Sequence, residues 1–104
     1  GESIQFTNKT KLAIIDRLAK KTKNDNEFRF VSFDIPETLR RNRNQFRRSI
    51  KRMGFKQIQK SLWVSNKNLG KLIELAAIEY KVNNYVVYIA SSNSNIDTHI
   101  NKIL

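Results

Sequence analysis

The sequence has no cysteine, which excludes disulfides, thiol nucleophiles and cysteine-based zinc sites. Its single histidine, His99, cannot build a histidine-metal site or a Ser-His-Asp triad within one chain, and it reads as a surface residue. Glycine occurs three times, and neither GxxxxGK[ST] nor GxGxxG is present, so glycine-rich phosphate loops are absent. No apolar run approaches the ~18 residues of a membrane span, and the first residues do not read as a signal peptide. Acids are scarce as well: 9 against 20 Lys and Arg, for a net charge of +11 over 104 residues. Apolar residues nevertheless reach 39%. That predicts one folded, cytoplasmic domain rather than a basic tail. Its natural partners are polyanions, nucleic acid first, with no membrane.

The charge is concentrated. Between positions 38 and 60 there is no acid, and nine basic residues fall there, mostly arginine. A second group, Lys9, Lys11, Arg17, Lys20, Lys21 and Lys23, lies nearer the N-terminus. Twelve asparagines point to a compositional bias that would favour lysine, yet the central cluster is arginine-rich. Arginine binds phosphate bidentately, so this cluster is the candidate nucleic-acid contact.

Periodicity supplies the elements. Residues 3–6 form a short strand, and Thr7 caps a helix over 8–21 with Leu12, Ile15 and Ala19 on one side. KTKNDNE at 21–27 reads as a polar linker. FRFVSFDI at 28–35 is the clearest strand, ended by Pro36. A helix over 37–53 carries the seam Leu39, Phe46, Ile50 and Met53, with Arg43 on its edge, and Gly54 stops it. Residues 56–65 form one bent strand or a tight pair breaking near Lys60. Asn66 or Asn68 caps the next helix, whose apolar face runs from Leu69 to Tyr80. A strand over 85–91 follows, and Ile96, Ile100, Ile103 and Leu104 suggest a short final helix. The order predicts an α+β, ferredoxin-like βαββαβ sandwich with an extra N-terminal helix and a short C-terminal one. The domain division is 1–27 for the N-terminal strand, helix and linker, and 28–104 for the sandwich.

Alternation puts Phe28, Phe30, Ser32 and Asp34 on one side of the first strand and Arg29, Val31, Phe33 and Ile35 on the other. Both faces are apolar, and one helical layer covers only one of them. A homodimer covers the second face, with Phe28, Phe30 and Trp63 as the candidate interface; the alternative is that the N-terminal helix folds over it.

The segment RFVSFDIPETLRRNRNQFRRSIKRMGFKQIQKSLWVS resembles two related groups. One is the second Cas family, a CRISPR-associated adaptation and endonuclease family. The other is the Cas-two-like domain of PaaX-type transcriptional repressors and their bacterial relatives. The shared pattern is Phe33-Asp34-Ile35-Pro36-Glu37, a basic helix, Gly54-Phe55, and Ile58-Gln59-Lys60-Ser61-Leu62-Trp63-Val64. Gln-Lys-Ser-Leu-Trp-Val is more similar to the PaaX-type version. The residues before the first strand resemble the end of a winged-helix domain, so the chain reads as the C-terminal part of a longer regulator.

The PaaX-type resemblance implies a dimerising, DNA-binding regulatory domain, in which Arg40, Arg41, Arg47, Arg48, Lys51 and Arg52 neutralise phosphates. It requires no cofactor and leans away from an enzyme. The Cas resemblance implies instead a Mg²⁺-dependent endonuclease or adaptation subunit, in which two Asp34 side chains across a two-fold axis bridge the metal. Asp34 in its structural role caps the following helix or pairs with one of its arginines. A third reading is a pure protein-dimerisation module.

Overall fold

The computed structural model describes residues 8–91. In chain order they form α1 (Asn8–Lys21), β1 (Asn24–Phe33), a 3-10 turn at Glu37–Leu39, α2 (Arg40–Arg52), β2 (Lys56–Gln59), β3 (Leu62–Lys67), α3 (Gly70–Glu79), a second 3-10 turn at Asn83–Tyr85, and β4 (Val86–Ser91). The four strands make one antiparallel sheet in the order β2-β3-β1-β4. This is the expected ferredoxin-like arrangement, with the extra helix α1 in front of it. The predicted strand at 3–6 and the final helix lie outside the described residues.

The first strand begins four residues before its aromatic run. Asn24 pairs with Lys67, and the register then shifts before Arg29 pairs with Ser65. The stretch predicted as linker is therefore partly strand. Its polar side chains are occupied: Asp25 accepts a hydrogen bond from Arg29, and Glu27 lies 3.4 Å from the same guanidinium. Backbone pairing needs no apolar side chain, so hydropathy alone does not reveal this extension. Residues 56–67 resolve into the tight pair, joined by the two-residue turn Lys60–Ser61.

The helix ends follow two routes. Gly54 has φ 103°, its N–H donates to Lys51 O, and the Phe55 N–H donates to Ile50 O. These two bonds close the last turn of α2 as glycine in the left-handed region allows. At the end of α3 the same pair of bonds forms around Lys81, at φ 60°. At the start of α3 neither Asn66 nor Asn68 acts as the cap; Leu69 precedes the helix without a side-chain cap, and Gly70 opens it. A Cβ on Gly70 would lie 2.8 Å from the Tyr88 ring, so glycine sets how closely α3 approaches the sheet.

Val31 pairs with Trp63 on one side and Tyr88 on the other, and this row points into the main core. Phe46 and Ile50 from α2 with Met53 at its C-terminal cap, Ile73, Ala76 and Ala77 from α3, and Ile15 and Ala19 from α1 cover it. Phe33 and Phe46 meet edge to face at 5.5 Å. Ion pairs tie α1 to the same layer: Lys11 to Glu79 at 3.3 Å, and Asp16 to Arg52 at 3.1 Å. The N-terminal helix thus extends the helical layer and does not fold over the opposite face.

That opposite face carries Phe28, Phe30 and Val64, with Ile58 packed beside them. Along β4, Val87 and Ile89 sit opposite Ser32 and Phe30 and are 56% and 52% exposed. Trp63 is 4% exposed and belongs to the main core on the helical side. Its assignment to an interface with Phe28 and Phe30 is corrected, because neighbouring positions along a strand point to opposite faces.

Candidate nucleic-acid interface and the cleft beside it

The buried side of α2 is Phe46, Ser49 and Ile50. The other side takes the cations. Arg41, Arg48 and Lys51 are exposed, at spacings of seven and three that put them on one side of the helix. None of the three makes an ion pair or side-chain hydrogen bond among the described residues. The remaining predicted cations are less free. Arg40 lies 3.4 Å from Glu37 but is well exposed, so the pair is weak and easily exchanged. Arg52 donates from Nε to Asp16 Oδ2 at 3.1 Å. Partial burial works against its charge, and Asp16 and Tyr80 together outweigh this, so its pKa is raised. Arg47 turns away from the exposed row. It is half-buried, its Nη1 reaches Asn44 Oδ1 at 3.5 Å, and its Nε is buried with no protein acceptor.

Arg47 turns into a cleft of about 440 Å³ between the end of β1, the first half of α2 and the β2–β3 turn. Asp34, Glu37, Arg43, Arg47, Lys60 and Ser61 line it, with Phe33 and Ile35 below. Arg43 donates to Glu37 Oε2 at 3.1 Å and approaches Ile35 O at 3.5 Å. Its Nε is also buried without an acceptor. The turn is held by Gln57, whose Nε2 donates to Lys60 O at 3.0 Å.

Asp34 is exposed, and its carboxylate has no partner among the described residues. Its backbone N–H donates to Tyr85 O at 3.0 Å. The expected capping or arginine-pairing role is corrected: the start of α2 has no side-chain cap, and Glu37 takes both Arg40 and Arg43. Nor does one chain fit a divalent ion here. The charged neighbours of Asp34 in the cleft are three cations and Glu37, which is engaged, and no cluster of three or more His, Cys, Asp or Glu exists among the described residues. His99 lies outside them. No helix among the described residues is long and apolar enough to cross a membrane.

A family model described as the PaaX protein central Cas2-like domain matches residues 21–103. The chain belongs to that family. No curated protein and no solved structure matches it. The match takes in the whole sheet, α2 and α3 of this PaaX-type domain, while most of α1 precedes it. Yet α1 gives Ile15 and Ala19 to the same core.

Sequence reasoning did not single out Arg43, Lys60 and Ser61 as a group. Their signal is present in the chain: Arg43 and Arg47 share a helix face at i, i+4, and Lys60-Ser61 interrupts an otherwise strand-like run. What brings them together is the placement of the β2–β3 turn next to the end of β1 and the first half of α2, which no local pattern encodes. Val87 and Ile89 were legible as one face of the last strand, and they, rather than Trp63, share the exposed face with Phe30.

Proposed function

We propose that this PaaX-type domain is a dimerising, DNA-contacting part of a transcriptional regulator. The observation that carries the reading is the row Arg41, Arg48 and Lys51 on the solvent side of α2, exposed and unpaired among the described residues. Such cations release counterions when they meet phosphates and position the protein without reading bases. Arg40 joins them by exchanging Glu37 for a phosphate, and Arg52 does so at the cost of Asp16. Arg47 contributes least, because it turns into the cleft.

The dimer rests on the sheet. With the three described helices on one layer, the exposed Val87 and Ile89, with Phe30 beside Ile89, offer an apolar surface of self-complementary chemistry. A two-fold pairing there leaves both α2 helices on the outside, where they reach one duplex or two.

The test is DNA affinity measured by fluorescence anisotropy across a series of salt concentrations. Each phosphate neutralised contributes about 0.9 to the slope of log affinity against log salt. Replacing Arg41, Arg48 and Lys51 by alanine together should flatten the slope by roughly 2.7. An affinity that ignores salt, or a triple variant with an unchanged slope, overturns the reading. Nucleic-acid cleavage that needs Mg²⁺ and disappears in Asp34→Ala would replace it with the endonuclease reading. A tight dimer without DNA affinity at moderate salt would leave only a dimerisation module.

A further inference from the structure

We infer that the cleft beside α2 binds a small phosphate monoester, with Arg47, Lys60 and the Ser61 hydroxyl around the phosphate. Asp34 accepts a hydrogen bond from a hydroxyl or amino group next to it. The site differs from the DNA-facing row in position and in chemistry. Arg41, Arg48 and Lys51 lie on the open side of α2, whereas the cleft sets a half-buried Arg47 opposite an exposed Lys60 over the buried Phe33 and Ile35. Its volume, about 440 Å³, lies in the range of small-molecule sites.

Charge accounting selects the ligand. Five ionisable groups line the cleft: Arg43, Arg47, Lys60, Asp34 and Glu37. Glu37 is engaged by Arg43 and Arg40, so Arg47 and Lys60 are the cations without an acidic partner. Two cations can face the double charge of a phosphate monoester near neutral pH, provided the phosphate lies on their side of the cleft and away from the unpaired Asp34 carboxylate. The donors are in place as well. Arg47 lines the cleft, and its guanidinium makes only one side-chain hydrogen bond among the described residues, from Nη1 to Asn44 Oδ1 at 3.5 Å. A guanidinium offers a fork that fits two phosphate oxygens, and Arg43 and Arg47 stand one turn apart on one face. Lys60 and Ser61 approach from the other wall on a turn whose backbone is held by Gln57.

Asp34 narrows the class. It is an acceptor without a partner among the described residues, on the same cleft as the free cations. A second phosphate beside it would be repelled, which disfavours a continuous phosphodiester chain. A sugar hydroxyl next to a terminal phosphate would be bound. Sugar phosphates and nucleoside monophosphates combine the two features.

The experiment is a titration of the ¹⁵N-labelled protein followed at the arginine Nε–Hε signals. The probes are ribose 5-phosphate, adenosine 5′-monophosphate and inorganic phosphate, with adenosine as the uncharged control. Two arginine signals should move and saturate with the phosphates and stay still with adenosine. Arg47→Met and Lys60→Met should each raise the dissociation constant at least tenfold, whereas Arg17→Met, an exposed change on α1, should not. Asp34→Asn should weaken ribose 5-phosphate and leave inorganic phosphate unchanged. Lys60 sits in an exposed turn, and an unchanged amide spectrum establishes that its variant folds. Shifts that never saturate, that sodium chloride reproduces at equal ionic strength, or that survive both Arg47→Met and Lys60→Met overturn the inference. DNA anisotropy on the Lys60→Met sample separates this site from the α2 row: loss of phosphate binding with DNA affinity retained belongs to the cleft alone.

Discussion

The two faces of the sheet are built from the same strands and the same kinds of residue, and they end in opposite states. On one face Val31, Phe33 and Trp63 are sealed beneath α1, α2 and α3. On the other, Phe28 and Val64 are buried in a small cluster while Val87 and Ile89 stay more than half exposed. Strict alternation guarantees that one strand feeds both faces, so an apolar strand cannot by itself say which face is closed. The connections decide that. All three described helices fall on one layer, and the ion pairs of α1 hold it there. The apolar face that the helices leave open is the one on which the proposed second copy would pack.

The contrast can be broken from either side. Phe46→Ala removes the ring that meets Phe33 under the helices and should cost about 3–5 kcal/mol of stability, read from urea unfolding. Val87→Lys with Ile89→Lys acts on the other face. It should weaken self-association by about 3 kcal/mol, roughly a hundredfold, and move unfolding by no more than about 0.5 kcal/mol. Sedimentation and denaturation of the same samples separate the two effects. Ser49→Ala sharpens the comparison in the other direction. The Ser49 hydroxyl is fully buried on α2 and has no partner among the described residues, so its removal should stabilise the fold by about 1 kcal/mol.

The smallest effect is a pH dependence at the edge of β1. The hydrogen bond from Arg29 holds the Asp25 carboxyl below its ordinary range. A lowered carboxyl pKa stabilises the fold above the unfolded value, and that contribution is lost as the pH falls through the carboxylate range. Asp25→Asn should therefore reduce the fall in unfolding midpoint between pH 6 and pH 3, leaving a shallower acid limb.

Much of the fold was legible because each local signal agreed with the others. Gly54 marked the end of α2 and the spacing from Leu69 to Tyr80 outlined α3, while β1 stops at Phe33, two residues short of the end expected from Pro36. Lys81 was not legible as a helix stop, because a non-glycine residue at positive φ leaves no compositional trace. The extension of β1 through Asn24 to Glu27 was hidden by polar residues whose strand state depends on pairing with β3. The cationic face of α2 was readable from an acid-free arginine run, but its division was not. Asp16 and Glu37 tie Arg52 and Arg40, and the cleft takes Arg47, through contacts between elements far apart in the chain or around a turn. Asp34 was picked out by its motif, and the role expected of it went to Glu37 three residues later.

The most direct test of the two-face account is sedimentation equilibrium of the wild-type protein beside the Val87→Lys, Ile89→Lys variant at tens of micromolar. The account predicts a dimer for the wild type and a folded monomer for the variant, with the α2 cations still binding DNA in a salt-dependent way. A wild-type monomer, or a variant that stays fully dimeric, would contradict it.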